Sequence, residues 1–271
     1  KEFGGGKGAN QAIAASRLAT DTTFISKVGK DGNANFILED FKKAGIHTQY
    51  ILTSESEETG QAFITVDEAG QNTILVYGGA NMTLSATDVE MSVDAFIGAD
   101  FVVAQLEVPF EAIEQAFKIA RKQNITTVLN PAPAIELPKS LLELTDIIIP
   151  NETEAELLTG ISINNESDMK ETATYFLDLG ISAVLITLGE QGTYCAYQEQ
   201  YKMIPACNVK AIDTTAAGDT FIGAFLSELN KDLSNLESAI RLANQASSLT
   251  VQRKGAQASI PTRKEVEAEY N

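Results

Sequence analysis

Asp146-Ile147-Ile148-Ile149-Pro150-Asn151-Glu152-Thr153-Glu154-Ala155-Glu156 is the stretch whose reading decides the fold. A short β-branched apolar run ends on a proline, and an acidic helix start follows at once. An uninterrupted apolar run of strand length is the mark of a strand buried on both faces, as in a parallel sheet. Working outward, the same unit recurs. Phe101–Gln105, Thr127–Asn130 and Ala183–Leu188 read as buried strands, and Thr22–Val28 reads as another. Between and beyond them, Gly32–Ala44, Pro109–Gln123, Glu152–Thr159, Asp168–Leu179, Ala217–Leu229 and Leu236 to about Gln252 carry helical patterns. Ala62–Val66 and Thr73–Tyr77 flank the turn signal Asp67-Glu68-Ala69-Gly70 and read as a hairpin. Strands alternating with helices predict an α/β fold with a mostly parallel sheet covered on both faces. Ligands in such folds bind beyond the carboxyl ends of the strands.

Composition narrows the function classes. Of the 271 residues, 44% are hydrophobic, enough for a sizeable core. No stretch approaches the ~18 uncharged apolar residues of a membrane span, and no charged-then-apolar leader opens the sequence. A net charge of −17 disfavours nucleic-acid binding through a basic surface. Cys195 and Cys207, in the strand-like stretches Gly192–Tyr197 and Ile204–Ile212, read as reduced thiols of a cytoplasmic protein. The single histidine, His47, reads as a surface residue rather than a catalyst.

Three turns carry chemistry. In Asp213-Thr214-Thr215-Ala216-Ala217-Gly218-Asp219-Thr220, small residues lead into an amphipathic helix. Free backbone N–H groups of Ala217, Gly218 and Asp219 would form an anion hole at the positive end of the helix dipole. Asp219 can take a proton from an attacking hydroxyl; alternatively it simply caps the helix. In Gly4-Gly5-Gly6-Lys7-Gly8-Ala9-Asn10-Gln11, leading into a helix over Ala12–Leu18, the spacing is neither a Walker loop nor a dinucleotide fingerprint. Its polar rim suits a hydroxyl-rich ligand, or it is a flexible terminus before a helix. At Asn151 and Glu154 the residues suit a hydrated Mg²⁺ with phosphates, or only an acidic helix start. Thr187-Leu188-Gly189-Glu190-Gln191-Gly192 is a glycine-rich turn after a strand, and Glu107 lies just beyond another strand.

Together these segments resemble the PfkB carbohydrate kinases, and within them the ribokinase branch. Gly4–Gln11 looks like the family's first signature and Asp213–Phe221 its second. Asn130-Pro131-Ala132-Pro133-Ala134, Pro150–Gly160 and Arg253-Lys254-Gly255-Ala256-Gln257-Ala258-Ser259-Ile260-Pro261 favour that branch. The resemblance runs from Phe3 to the last helix. It implies a three-layer α/β/α sandwich with a small β-lid and ATP-dependent phosphorylation of D-ribose at O5. Other sugars of the family (deoxyribose, fructose, a keto-deoxy acid) are the alternative, and a noncatalytic sugar or nucleotide binder is a third reading.

Carried over by position, Gly6, Lys7, Gly8, Ala9, Asn10 and Glu107 would hold the sugar, and Asp219 would be both sugar ligand and base. Asn151, Thr187, Leu188, Gly189, Glu190, Gln191, Gly192, Gly218, Asp219 and Asn244 would line the ATP site, Asn244 standing where the family often has His. K⁺ would be held by Asp213, Thr215, Thr250, Arg253, Gly255 and Ser259, and Mg²⁺ would lie near Asn151 and Glu154. A lid at about residues 55–78 would pair subunits into a homodimer. The family opens with a strand bearing a sugar-binding Asn-x-Asp. This sequence opens almost at the glycine signature, so the expectation is a single domain that is incomplete at its N-terminus and folds or turns over poorly.

Overall fold

The computed structural model describes residues 4–66 and 72–270. In chain order the elements are α1 (Lys7–Arg17), β1 (Ser26–Val28), α2 (Gly32–Ala44), β2 (Ile51–Thr53), β3 (Gln61–Val66), β4 (Asn72–Tyr77), α3 (Ala86–Met91), β5 (Phe101–Ala104), α4 (Phe110–Lys122), β6 (Thr126–Leu129), α5 (Lys139–Glu143), β7 (Ile147–Ile148), α6 (Glu152–Thr159), α7 (Glu166–Asp178), β8 (Ala183–Thr187), β9 (Gly192–Tyr197), β10 (Gln200–Pro205), α8 (Ala217–Glu228), α9 (Leu236–Val251) and α10 (Arg263–Tyr270).

The central sheet has the order β10-β9-β8-β7-β6-β5. Strands β5 to β8 pair in parallel, β9 pairs antiparallel with β8, and β10 pairs antiparallel with β9. Period-two alternation divides its side chains between two cores. Ile147, Ile149, Leu185 and Cys195 face α8, α9 and α10. Leu129, Ile148, Val184, Ile186 and Tyr194 face α4, α5 and α7. Both faces are therefore covered, which is why these strands read as continuous apolar runs. The result is the expected three-layer α/β/α sandwich.

Two small sheets stand apart from it: β1 with β2, in parallel, and the antiparallel hairpin β3–β4. The hairpin register runs from Gln61 opposite Tyr77 to Val66 opposite Asn72; the turn signal at 67–70 lies outside the described residues. Asp31 ties the approach to the hairpin to the start of α2. Its carboxylate accepts the N–H groups of Ala34 and Thr59 and the Thr59 hydroxyl.

Three expectations need correction. The helix of the glycine signature starts at Lys7, not Ala12, because Gly6 adopts φ 91° as its N-cap and accepts the Asn10 N–H. The strand expected over Ile204–Ile212 is β10, ending at Pro205, so Cys207 lies in a loop. Of the strand expected over Thr22–Val28 only Ser26–Val28 forms, preceded by a bridge from Thr23 to His47. His47 is half-exposed and pairs with Asp21, as a surface residue should.

One contact sets the position of α1. A Cβ on Gly223, in α8, would lie 2.5 Å from the Ala14 Cβ, 2.6 Å from the Ala15 nitrogen and 2.7 Å from the Gln11 carbonyl oxygen. Two of those are backbone atoms, so any side chain at 223 must push the helices apart. Gly223→Ala is expected to destabilise the protein by ~1–3 kcal/mol through overpacking. Thermal and urea melts check this, and an unchanged midpoint would show that the crossing yields easily.

Candidate active site

The glycine of the α1–α8 crossing lies one helical turn beyond Asp219. The close approach therefore delivers two adjacent amides of α1 to the Asp219 carboxylate. Asn10 donates from Nδ2 to Oδ2 at 2.8 Å, and Gln11 donates from Nε2 to Oδ1 at 3.1 Å. Asp219 is 9% exposed. Burial pushes its pKa up, against the opposing pull of the Asn10 and Gln11 hydrogen bonds and the Lys7 charge. A carboxylate of raised pKa is a better base than a free one.

The capping alternative for Asp219 fails. Helix α8 opens on Ala216 in the left-handed region, φ 61°, with no side-chain cap. The carboxylate turns instead toward α1. The Ala217 N–H closes a turn on the Thr214 carbonyl. The free donors at the start of α8 are therefore the Gly218 and Asp219 N–H groups, which have no partner among the described residues. A Cβ on Gly218 would meet nothing within 4 Å, so the space beside this residue is open.

The sugar-side expectations divide. Lys7 and Glu107 lie together: Glu107 Oε2 accepts the Lys7 N–H at 2.8 Å and so caps α1 from outside. Burial raises the Glu107 pKa, the Lys7 N–H and charge lower it, and Asp219 raises it further. Asn10 is 6% exposed, and its Oδ1 is buried without a partner. Because Nδ2 must face the carboxylate, this free acceptor suits a ligand hydroxyl. Gly8 and Ala9 also have packing roles. A Cβ on Gly8 would lie 2.8 Å from Gln105 Oε1, and Ala9 packs against the Ile13 and Phe41 cluster.

On the nucleotide side, Asn151 and Glu154 form a reciprocal capping box on α6, the second of the readings left open. Glu154 Oε2 and Oε1 take the Asn151 N–H and Nδ2, and Asn151 Oδ1 takes the Glu154 N–H. Burial raises the Glu154 pKa; the Asn151 N–H and the Lys7 charge lower it, and Asp219 raises it. These mutual effects place the α6 start in the same electrostatic neighbourhood as α1 and α8. With both side chains engaged, the pair fits a Mg²⁺ held through its own waters rather than by direct ligation. The Thr187–Gly192 turn lies beside it, with Thr187 bridged to Asn151.

Asn244, expected at the nucleotide, is tied into the fold. Its Nδ2 donates to the Ile204 and Pro205 carbonyls and its Oδ1 accepts the Thr193 hydroxyl. It is a strut between α9 and the β9–β10 hairpin, with both amide hydrogens committed. Ser247, one turn closer to α8, holds the Ala217 carbonyl; nothing in the sequence marked it.

The 213–215 and 250–259 segments latch to each other. Asp213 accepts from Thr215 N–H and hydroxyl and from the Gly255 N–H. The carbonyls of Asp213, Thr215, Arg253 and Gly255 accept no hydrogen bond among the described residues, a donor set that fits a monovalent cation. Ser259 is fully buried beside them, its hydroxyl on the Ala256 carbonyl. Thr250 fits less well: its hydroxyl bonds Thr220 and its carbonyl accepts the Arg253 N–H.

Fold and site define a class: an α/β sandwich with a buried carboxylate beside open helix N–H donors at the carboxyl edge of the sheet. The chain belongs to the pfkB family of carbohydrate kinases, whose model matches residues 1–263. It is 65% identical over 266 residues to a ribokinase of Staphylococcus aureus (strain COL), covering 98% of this chain and 88% of that protein. It is 52% identical to a bifunctional ribokinase/ribose-5-phosphate isomerase A of Fructilactobacillus sanfranciscensis, covering 98% of this chain and 49% of that longer protein. A solved Arabidopsis thaliana ribokinase complexed with ribose and ATP superposes with a TM-score of 0.89 at 33% identity, covering 97% of this chain and 86% of that one.

The buried carboxylates have a consequence for stability. A carboxyl whose folded pKa is raised stabilises the fold fully only below its unfolded pKa, and that contribution is lost as pH rises through the folded pKa. Glu107→Gln keeps an acceptor for the Lys7 N–H and removes the charge. Its melting temperature is expected to exceed that of the parent at pH 7.5, with the gap closing toward pH ~4, near the unfolded pKa. Calorimetry across that range checks the sign; a lower melting temperature at pH 7.5 would contradict it.

Proposed function

We propose that the chain transfers the γ-phosphoryl group of ATP to O5 of D-ribose, giving D-ribose 5-phosphate and ADP. The observation that carries this reading is the Asp219 carboxylate, buried and held by α1, beside the unpartnered Gly218 and Asp219 N–H groups. The named relatives support ribose as the acceptor. Asn10 Oδ1 and Glu107 Oε1, free among the described residues, are the acceptors for sugar hydroxyls, with Lys7 beside them.

Phosphoryl transfer passes through a loose transition state with little nucleophilic push. Asp219 therefore need not ionise the alcohol beforehand. It takes the O5 proton as the bond to phosphorus forms, which accounts for roughly 10²–10⁴ in rate. The Gly218 and Asp219 N–H groups face the charge that develops on the transferred group, each worth ~3–4 kcal/mol in a water-poor site. Mg²⁺, when bound, would supply charge neutralisation for the ATP phosphates, and Asn151 and Glu154 would hold it. K⁺ would sit among the 213–215 and 253–259 carbonyls, opposing the −17 net charge close to the anion hole.

The same reading takes the chain as one α/β domain with a lid at about residues 55–78. A two-stranded hairpin is marginal alone, and Phe63, Leu75 and Val76 on β3–β4 are 52–68% exposed. Their cover in this reading is a second subunit's lid. Cytoplasmic location is consistent with two free thiols and with no helix among the described residues long and apolar enough to cross a membrane.

An ATP-consumption assay over a panel of ribose, deoxyribose, fructose and keto-deoxy acids tests the function. Ribose is expected to give the highest kcat/KM. Asp219→Asn is expected to lower kcat by ~10²–10⁴ with ATP affinity little changed. Consumption independent of any sugar, or near-normal turnover by the variant, would sink the assignment. Turnover is also expected to be faster in K⁺ than in Na⁺ at equal ionic strength; equal rates would remove the cation site.

A further inference from the structure

We propose that Gln11 is a positioning residue for phosphoryl transfer: it holds Asp219 Oδ1 within a buried amide relay that fixes which face of the carboxylate meets the acceptor hydroxyl. The inference rests on the kinase reading above and deepens it.

The relay joins α1 and α8 to the ends of β5, β6 and β7. Gln105, just after β5, donates its Nε2 to Gln11 Oε1. Gln11 Nε2 donates at 3.1 Å to both Asp219 Oδ1 and Asn130 Oδ1. Asn130, just after β6, donates its Nδ2 to the Ile149 carbonyl at 3.0 Å. Gln11 and Asn130 are 4% and 7% exposed. An ionised carboxylate only accepts hydrogen bonds, so the Gln11 nitrogen must face Asp219. Its oxygen must then face Gln105. Flipping Gln11 would set an oxygen against a carboxylate in a site screened from water, so each member fixes the next.

The relay also has a stoichiometric effect. Each carboxylate oxygen has two lone-pair sites. Asn10 takes one on Oδ2 and Gln11 one on Oδ1. One site on each oxygen is left, and the incoming hydroxyl finds one carboxylate orientation instead of a rotating group. Asn10 does this and also presents a free oxygen to the ligand. Gln11 has no spare polar atom: its oxygen and nitrogen are both engaged within the protein. Its effect on the acceptor hydroxyl therefore passes through the side chains it holds, of which Asp219 is the reacting one.

That distinction makes the test. In Gln11→Leu, kcat for ribose phosphorylation, per site titrated by ADP binding, is expected to fall ~10–100-fold, the scale of a roughly 1 Å misplacement of a reacting group. The ribose KM is expected to stay within about three-fold, because an interaction expressed only in the transition state leaves KM untouched. Gln105→Leu removes only the brace and is expected to lower kcat about three-fold, again at constant KM. A purely structural role would reduce the titrated sites and the melting temperature with kcat per site unchanged, and that result overturns the proposal. So does a raised KM at normal kcat, which would make Gln11 a sugar contact. If Gln11→Leu does not fold, Gln105→Leu decides, and an unchanged kcat overturns the proposal. A parent enzyme that phosphorylates no sugar removes the kinase reading together with this one. An active parent with insensitive variants removes this one alone.

Discussion

The approach of α1 to α8 over Gly223 is the contact on which the rest of the site depends. Only a residue without a Cβ lets the Gln11 carbonyl and the Ala15 nitrogen come so near to α8. At that separation the amides of Asn10 and Gln11 reach both oxygens of Asp219. The partnership between the glycine signature and the second signature is thus a helix–helix crossing. Arg17, at the far end of α1, extends it by donating to the Gln257 and Ile260 carbonyls, so α1 also steadies the segment assigned to the monovalent cation.

Electrostatics explains why so many neutral donors gather there. Asp219, Glu107 and Glu154 are each pushed up in pKa by burial, and the Lys7 charge opposes all three shifts. Three carboxyls and one lysine would be a poor host for a polyphosphate in a protein of net charge −17. Amides and helix N–H groups answer this by stabilising negative charge without the desolvation cost of burying further cations. In the proposed reaction, a cation among the 213–255 carbonyls and Mg²⁺ at the phosphates would add to the same balance.

Much of this was legible in the sequence because it follows from apolar periodicity. Residues 147–149 and 183–187 are buried on both faces of the sheet and read as unbroken apolar runs. The α2 and α6 bounds were readable from their caps, Asp31 and Asn151, and their terminal glycines, Gly45 and Gly160. Lys7 was misplaced in a loop because three glycines before it suppress helix propensity, whereas the Glu107 carboxylate, a hundred residues away, caps the helix. The short helices α3, α5 and α10 lack enough turns to show a period. Gln11 and Gln105 received no role from the sequence, since an amide side chain announces neither its partner nor whether it serves a ligand or the fold. The capping alternative for Asp219 was decided only by the direction of its carboxylate, which is a tertiary fact.

The central claim is that the α1-held carboxylate of Asp219 meets the hydroxyl that becomes phosphorylated. The most direct measurement is a crystal structure of the chain with D-ribose and a non-hydrolysable ATP analogue. The ribose 5-hydroxyl is expected at about 2.6–3.2 Å from an Asp219 oxygen, with the Gly218 N–H directed at the γ-phosphate. A ribose bound with its 5-hydroxyl away from Asp219, or a γ-phosphate outside reach of the α8 N-terminus, would contradict it.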